Sequence, residues 1–566
     1  MIRDLDALSD ALPGVDVCIV GSGPAGMTLA RELSTTGLSV MVLESGRLTP
    51  SRHADGLKQV EAQGIAIKDY SRERVLGGAS TTWAGLSSPF EPIEIAERPW
   101  LRHSGWPIGH DELMSGWRRA ARDYRFASLD AFEPGGFDVT RDKGDVKLEW
   151  GELREKVFLA ADPPQDFGAE HRAIFEQGDE GARSVELLLD ATVTGFDGSP
   201  ETVTSARVRS RSGREHVVEA RAFVLACGGI ENARLLLAST AAWPGGLGNA
   251  RDQVGRFLMN HPKNYFGVIE LAEPVRELPW LFGCLYGGHA GYAGLRLPDE
   301  VQERDGLLNS YVRFEPLFPW SGNEGIEAFV YMLKHSGALV QQLKRRGQKD
   351  GGVMTLRDYS ETGDDSDLQN ARKTWAQRLG LVGLVAANLP AVTRYAYSRA
   401  RHGRAPLVKR VRLRNFMEME PDPDNRVTLA KSTDAYGSPR AHVSHGVTGV
   451  DCRSMAAVHE ALARDLAQNG FGELKRGLSA DMDPWPIDQD ASHHMGTTRM
   501  GNDPATSVCD SDCRLHDVDN VFVAGASVLP TSGSANPTFT LVALALRLAD
   551  HLAARLGRPA QQEPLP

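Results

Sequence analysis

The first 46 residues carry the pattern that most constrains how this chain can fold. Residues 15–20 are a short apolar run of β character, and Gly21-Ser-Gly23-Pro-Ala-Gly26 follows at once. Helical spacing continues to residue 34, and a second apolar run ends at Glu44. A strand, a G-x-G-x-x-G turn, a helix and a second strand closed by an acid predict a βαβ unit that binds a dinucleotide.

Each residue of this motif has a physical role. Gly21 permits the tight turn, Gly23 lets the backbone approach a pyrophosphate, and Gly26 allows the helix to pack closely on the strand. Glu44 can accept hydrogen bonds from the adenosine ribose. The motif alone does not separate NAD from FAD.

Two later segments repeat the design of an apolar strand that ends in glycine, residues 221–229 and 521–525. Together with the first strand they predict one doubly wound sheet whose strands are interrupted in sequence by a second domain. Residues 184–193, 202–210 and 216–220 are also rich in strand formers, and we predict that they form a small antiparallel set.

The chain is long enough for two domains, since 566 residues exceed one ordinary hydrophobic core. We predict the α/β class, with a doubly wound, Rossmann-like cofactor-binding domain interleaved with an α+β substrate-binding domain on an antiparallel sheet. The first domain is assigned residues 1–89, 184–260 and 481–566, and the second is assigned 90–183 and 261–480.

Charge, cysteine content and hydropathy exclude several classes of protein. The formal net charge of −11 argues against a nucleic-acid partner, which usually requires a basic surface. The six cysteines are scattered, so we expect reduced thiols, and Cys509 and Cys513 lack the further ligands of a metal site. The N-terminus is acidic where a signal peptide would be basic, and no run reaches the about eighteen apolar residues of a membrane span. We therefore expect a cytoplasmic protein with no metal and no transmembrane segment.

Residues 341–414 form a basic insert in this acidic chain. The insert contains 16 Lys and Arg against 6 Asp and Glu, and its residues 379–392 are mostly apolar. We interpret it as a helix packed on the substrate domain with a solvated basic rim. A membrane-surface contact, a subunit interface and a lid over the site are the other interpretations.

The C-terminal part supplies chemistry that the dinucleotide motif lacks. The run of residues 492–501, SHHMGTTRMG, offers a proton-transfer histidine. An alcohol gives up hydride readily only as its proton leaves, and histidine titrates in the right range to take that proton. Asn536 can hold the same oxygen by a hydrogen bond, and its position before Pro537 also makes it a good helix cap.

A glycine-rich segment, residues 76–83 (LGGASTTW), joins the first half of the cofactor domain to the next part of the chain. Two glycines beside small polar residues allow the backbone to lie close against a flat ligand. An ordinary surface turn is the alternative interpretation.

In combination these motifs resemble the glucose–methanol–choline (GMC) family of FAD-dependent oxidoreductases. The similarity extends over residues 17–46, 77–83, 224–234, 254–262, 418–429 and 492–546. The runs GASTTW and HHMGTTRMG look most like the branch of pyranose 2-oxidase and bacterial glycoside 3-oxidases.

The resemblance implies oxidation of an alcohol by hydride transfer to N5 of FAD. It places the base on His493 rather than His494, because Gly496-Thr497 follows at the spacing of the family's H-x-x-G-T run, and the second polar partner on Asn536. The cofactor-binding residues that it implies are Gly21, Gly23, Gly26, Glu44, Gly77, Gly78, Ser80, Thr82, Val193, Cys227, Gly228, Gly525, Ala526, Asn536, Pro537 and Thr538.

Two positions depart from the pattern of pyranose 2-oxidase. Thr82 stands where that enzyme attaches its flavin to a histidine, so FAD is expected to be non-covalent here. Ala84 stands where that enzyme has a threonine near flavin N5, which leaves both an oxidase and a dehydrogenase open.

The sequence therefore favours FAD-dependent oxidation of a CH–OH group on a sugar, a glycoside or a sugar-containing natural product, with O2 or another acceptor. The preference for a sugar comes from the resemblance alone. A dehydrogenase of a non-sugar primary alcohol that uses a quinone or protein acceptor is the alternative within enzymes. A flavin-containing lyase is the alternative of another class.

Overall fold

The computed structural model describes residues 1–8, 12–137, 146, 148–176, 185–276, 278–317, 322–334, 375–402, 407–488 and 492–557. Within these residues the strands form two sheets of eight strands and one of three. The strands are β1 (Ile2–Asp4), β2 (Val15–Val20), β3 (Val40–Leu43), β4 (Val60–Gly64), β5 (Arg154–Ala161), β6 (Val185–Leu189), β7 (Thr192–Ser199), β8 (Thr202–Arg209), β9 (Glu215–Leu225), β10 (Lys263–Asn264), β11 (Val268–Val275), β12 (Cys284–Tyr286), β13 (His289–Arg296), β14 (Tyr311–Leu317), β15 (Val408–Phe416), β16 (Arg426–Thr433), β17 (Pro439–His445), β18 (Gly472–Lys475) and β19 (Val521–Val523).

The α-helices of the same residues are α1 (Pro24–Leu33), α2 (Arg52–Leu57), α3 (Pro92–Ile95), α4 (His110–Asp123), α5 (Phe167–His171), α6 (Gly229–Ala238), α7 (Pro279–Phe282), α8 (Asp299–Asp305), α9 (Glu324–Lys334), α10 (Trp375–Ala387), α11 (Leu389–His402), α12 (Gly449–Gln468) and α13 (Thr538–Leu556).

The first sheet has the order β1-β6-β3-β2-β9-β8-β7, and β19 pairs with the free part of β9. The pairs from β1 through β2 to β9 and β19 are parallel, whereas β7, β8 and β9 form an antiparallel ladder. Strand β3 is the uninterrupted apolar run VMVL and is buried throughout, as expected for a parallel strand that is covered on both faces. The predicted Rossmann-like class is confirmed.

One prediction about this sheet is wrong. Residues 184–193 were expected in the small antiparallel set with 202–210 and 216–220, but β6 lies between β1 and β3 in the parallel sheet. Its apolar run VELLL fills the position beside β3, where burial favours apolar residues at nearly every position. Strand β7 takes the place beside β8 instead.

The second sheet is antiparallel and has the order β12-β13-β14-β15-β11-β18, with β5 beside β13 and β10 beside β15. Its core is a separate apolar cluster built mainly from this sheet and the inner face of α12. The predicted α+β domain on an antiparallel sheet is therefore confirmed as an architecture.

A third sheet connects segments that lie far apart in sequence. Strand β4 pairs in parallel with β17, which forms a hairpin with β16. Helix α4 packs against α13, so it joins the core of the first sheet. The exact domain boundaries stay a prediction.

Part of the basic insert lies outside the described residues, and what is described of it includes two helices, α10 and α11. They pack against α9 through two small apolar clusters. Among the described helices, none alone is long and apolar enough to cross a membrane; Leu379–Ala387 and Leu389–Tyr397 reach that length and hydropathy only as a pair, with an 83° bend between them.

A buried ionic network joins the second sheet to the loop before α13. Glu94 is fully buried and accepts hydrogen bonds from Lys156 of β5 and from the backbone and side chain of Ser534. Close to it, Arg98 and Glu418 form a two-pronged ion pair at 3.0 and 2.6 Å, with 1% and 0% of their side chains exposed. The two halves are linked by Asn309, whose backbone N–H donates to Glu418 and whose side chain donates to Glu94.

The ion pair predicts a large stability effect. Replacing Glu418 by Gln leaves the Arg98 charge buried without a counterion, and we expect the free energy of unfolding to fall by about 3–5 kcal/mol. Chemical denaturation followed by fluorescence measures this. Glu152→Gln is the matched control, since Glu152 pairs with Arg464 at the surface and its loss should cost about 0–1 kcal/mol.

The loss of stability caused by Glu418→Gln should also depend on pH. Burial raises the pKa of Glu418, but Arg98 and the Asn309 N–H outweigh it, and the net pKa lies below its usual value. A carboxyl whose folded pKa is lowered stabilises the fold above its unfolded pKa and loses that contribution as pH falls through the folded pKa. The difference between the wild type and Glu418→Gln should therefore shrink below about pH 4. Equal losses in the Glu418 and Glu152 variants at neutral pH would contradict this assignment.

Candidate active site

The glycine motif forms an open cradle at the start of α1. A Cβ at Gly26 would lie 2.0 Å from the carbonyl oxygen of Gly21, so only glycine allows this contact between turn and helix. A Cβ at Gly23 would meet nothing within 4 Å, so the backbone there borders open space. No side chain caps α1, and its first N–H groups stay available for an anion.

The second glycine pair, Gly77-Gly78, brings another turn onto this cradle. Both residues have positive φ, 90° and 54°, and a Cβ at Gly78 would lie 2.9 Å from Cα of Gly23. Gly77 packs against the backbone of Gly168, and the Ser80 hydroxyl donates to the Gly77 carbonyl at 2.6 Å. These residues therefore close one side of the cradle by backbone contact.

A cavity runs along this cradle, and we call it the cofactor cavity. Its wall contains Glu44, whose buried carboxylate accepts from the Ser22 N–H and hydroxyl and from the Gly46 N–H. Burial raises the pKa of this carboxyl. The predicted residues that line the cofactor cavity are Gly21, Gly23, Glu44, Gly78, Val193, Cys227, Gly228, Gly525, Ala526, Pro537, Thr538 and also His493.

A second cavity, the reaction cavity, lies between this cradle and the antiparallel sheet. Of the predicted residues, Ser80, Thr82, His493, Asn536 and Thr538 line it. His493 and Thr538 border both cavities, so the two spaces adjoin at these residues. Gly26 and Gly77 line neither cavity and act one layer behind the wall.

The side chain of His493 is held by two neighbours. Its Nδ1 lies 2.8 Å from Nδ1 of His261, and its Nε2 lies 3.4 Å from Nδ2 of Asn536. Backbone pairing of Met259 with Met495 sets the two histidine segments side by side. The Asn260 side-chain oxygen then accepts from the backbone N–H of both histidines.

These contacts determine which nitrogen of His493 carries the hydrogen. Nε2 of His261 faces the carbonyl oxygens of Gly533 and Ser532 at 2.8 and 3.2 Å, and carbonyls only accept, so this nitrogen is protonated. Nδ1 of neutral His261 is then an acceptor, and Nδ1 of His493 must donate to it. Nε2 of His493 then carries the lone pair of the ring and faces the Asn536 amide N–H as an acceptor at 3.4 Å, and such a nitrogen can also accept a proton.

Electrostatics keep His493 neutral. Burial lowers its pKa well below the usual value, and His261 and Lys263 lower it further. Burial also lowers the pKa of His261. The pair therefore remains uncharged at neutral pH, with His493 ready to accept a proton.

One predicted role of Asn536 is not observed. Helix α13 begins at Thr538 with Pro537 in the cap position, and no side chain caps it. The Asn536 amide contacts His493 instead. The neighbouring His494 is buried and lines only the cofactor cavity.

No role for His261 follows from the sequence motifs alone. Its signal was present in the run Asn260-His261-Pro262, but only the fold shows that this histidine meets His493 across 232 residues of sequence. Arg74 was also missed; it lines the cofactor cavity and pairs with Glu231 at 3.0 Å.

Two family models match this chain. The model described as GMC oxidoreductase matches residues 421–545, and the model described as FAD binding domain matches residues 14–61. FAD is a dinucleotide, and three features of the site fit it: the open glycine cradle, the uncapped N-terminus of α1 and Glu44.

Two relatives of known activity are similar over most of the chain, and a third is similar over about a fifth of it. The large subunit of fructose dehydrogenase from Gluconobacter japonicus is 23% identical over 96% of this chain and 98% of its own. The 6'''-hydroxyparomomycin C oxidase of Streptomyces lividus is 25% identical over 95% and 92%. A C-glycoside 3-oxidase from Arthrobacter globiformis is 37% identical over 22% and 23%.

Among solved structures, pyridoxine 4-oxidase from Mesorbium loti superimposes with a TM-score of 0.52 at 17% identity over 95% of this chain and 98% of that one, which supports the fold. Fold and site thus define a flavin-dependent oxidoreductase. The two matched segments, residues 421–545 and 14–61, confirm the resemblance to GMC oxidoreductases that the sequence predicts.

The role of His261 can be tested by two substitutions. His261→Leu removes the acceptor for Nδ1 of His493, so the base no longer has a fixed tautomer and turnover should fall about tenfold or more. His261→Asn keeps an acceptor near the same place and should retain much of that activity. The acid limb of the pH–rate profile should lie below pH 6.5 in the wild type, because the pKa of His493 is lowered, and should move upward in the Leu variant. Equal activity of both variants would contradict the role.

Proposed function

We propose that this enzyme oxidises an alcohol group on a sugar, a glycoside or a sugar-containing natural product, with His493 as the base. The activities of the relatives support the class of substrate, since fructose, glycoside and aminoglycoside enzymes are all similar to this chain. The single observation that carries the mechanism is the acceptor nitrogen Nε2 of His493, which faces Asn536 at the junction of the two cavities.

Different residues of the chain interact with the proton and with the oxygen of the reacting hydroxyl. Nε2 of His493 accepts the hydroxyl proton, and the Asn536 amide donates to the same oxygen and fixes its direction. His261 holds the tautomer and stays in place as the charge on His493 changes. FAD, when bound, supplies the acceptor for the hydride that leaves with this proton. We propose that O2 or another acceptor then takes the electrons. Ala84, where pyranose 2-oxidase has a threonine, lines the reaction cavity.

We also propose that FAD is held without a covalent bond. Thr82 lines the reaction cavity, and its hydroxyl donates to the carbonyl oxygens of Tyr70 and Ala79 at 3.2 and 3.3 Å. Backbone carbonyls are not general bases, so these contacts do not activate the hydroxyl as a nucleophile, and threonine cannot form the histidyl link.

The base is tested by anaerobic reduction of the flavin. His493→Ala should retain the visible spectrum of bound FAD but slow reduction by the best alcohol of a sugar and glycoside panel by about 10²-fold or more. His494→Ala is the comparison, because the neighbouring ring does not border the reaction cavity. A near-normal reduction rate in the His493 variant, or an equal loss in both variants, would falsify the assignment.

The mode of FAD attachment is tested by acid precipitation. Since position 82 holds threonine where pyranose 2-oxidase has the linking histidine, we expect all of the flavin in the supernatant and an intact-protein mass equal to that of the unmodified chain. A yellow pellet, or a mass increased by one flavin, would show a covalent link and refute the prediction.

A further inference from the structure

The reaction cavity has an unusual balance of charge. Among its described lining residues are Lys68, Lys263, Arg313 and Arg414, and none is an aspartate or a glutamate. Lys263, Arg313 and Arg414 are at most 7% exposed. Water is largely excluded from this wall, and the described charged side chains in it are all positive. The wall therefore concentrates a positive potential in the space where the substrate must lie.

Of these cations, Arg313 has the fewest hydrogen-bond and ion-pair partners within the described residues. Its side chain is 3% exposed, and its Nε is buried without a hydrogen-bond partner. Within the described part of the chain its guanidinium has no ion pair or hydrogen bond and only stacks on the Tyr292 ring at 4.2 Å. Stacking occupies the face of a guanidinium and leaves its planar N–H edge free for an oxyanion.

The strand register places two positive charges opposite each other, and an anionic ligand would relieve their repulsion. Arg313 of β14 and Arg414 of β15 are direct cross-strand partners, and like charges opposite each other destabilise a sheet. Arg414 shares the carboxylate of Glu315 with Arg412, which lies closer to it. One carboxylate thus serves two arginines, and Arg313 has none.

An aromatic stack forms the floor beside these charges. The rings of Tyr311 and Phe416 are parallel within 4° at 4.8 Å, and Phe158 stacks on the other side of Tyr311 at 4.5 Å. Tyr311 and Phe416 line the cavity. A flat apolar surface next to cations suits a ring that carries an anionic substituent.

We propose that the reaction cavity binds an anionic substrate, whose carboxylate or phosphate oxygens are held by Arg313 together with Arg414. This inference rests on the proposed function for the reacting hydroxyl, and it narrows the substrate to an acidic sugar, an acidic glycoside or a sugar phosphate. It also separates this enzyme from its relative that oxidises an aminoglycoside, because a polyamine cation would be repelled by this wall.

The anion site is tested first by binding, which needs no turnover. Benzoate and benzamide have the same shape and differ in charge, and calorimetry on the oxidised holoenzyme measures both. We expect benzoate to bind at least tenfold more tightly, and Arg313→Gln to reduce that preference ~10- to 100-fold, the range for a hydrogen-bonded charge. Arg410→Gln is the matched control, since Arg410 lies exposed on the same sheet and does not line the cavity. Equal affinity for benzoate and benzamide in the wild type would overturn the proposal.

Arg313→Lys provides a second variant if the glutamine protein folds poorly. It keeps the charge but loses the planar fork, so it should bind benzoate with an affinity between those of the wild type and Arg313→Gln. Wild-type affinity in both the Gln and the Lys variants would assign no role to Arg313 and would also overturn the proposal.

Kinetics then identify the anion. Methyl glucoside, methyl glucuronide and methyl glucoside 6-phosphate share their ring hydroxyls, and anaerobic flavin reduction compares them. Preference for the glucuronide assigns a carboxylate, and preference for the phosphate ester assigns a phosphate. Reduction by the glucoside with no preference for either anion would overturn the anion site and leave the proposed function intact. Benzoate binding without flavin reduction by any alcohol would support the anion site and contradict the proposed function.

Discussion

The buried ion pair of Arg98 and Glu418, extended through Asn309 to Glu94, is the interaction on which the active site depends. Two charges removed from water are costly unless each is fully paired, so this network tolerates one arrangement only. Glu94 holds Ser534, two residues before Asn536. The antiparallel sheet is thereby fixed relative to α13 and to the loop before this helix, which contains Ser534 and Asn536.

The chemistry of His493, the proposed base, depends on that position. The same loop supplies the carbonyl oxygens of Ser532 and Gly533, which fix the proton of His261 and through it the tautomer of His493. Within the described residues, the tautomer of His493 is therefore set by two backbone acceptors and not by a carboxylate. A neutral partner leaves the histidine pair uncharged, which suits a cavity whose wall already carries several cations.

Local patterns predicted the parts of this site that short segments determine. The glycine motif, Glu44 and the spacing around His493 are each contained in a few consecutive residues, and all lie where the sequence indicates. Long-range pairing was not accessible in the same way. The place of β6 beside β3, the contact of His261 with His493 and the opposition of Arg313 to Arg414 depend on strand register across tens to hundreds of residues.

The position of β19 has a consequence for how the enzyme is made. Strand β9 is flanked by β2 from the start of the chain and by β19 from near its end, and Gly525 and Pro537 of the cofactor cavity come after β19. During synthesis the N-terminal glycine cradle emerges first, while the opposite wall is still untranslated. The nascent chain therefore lacks the wall formed by Gly525 and Pro537 until these residues have been made, and we expect the flavin to be loaded after that point.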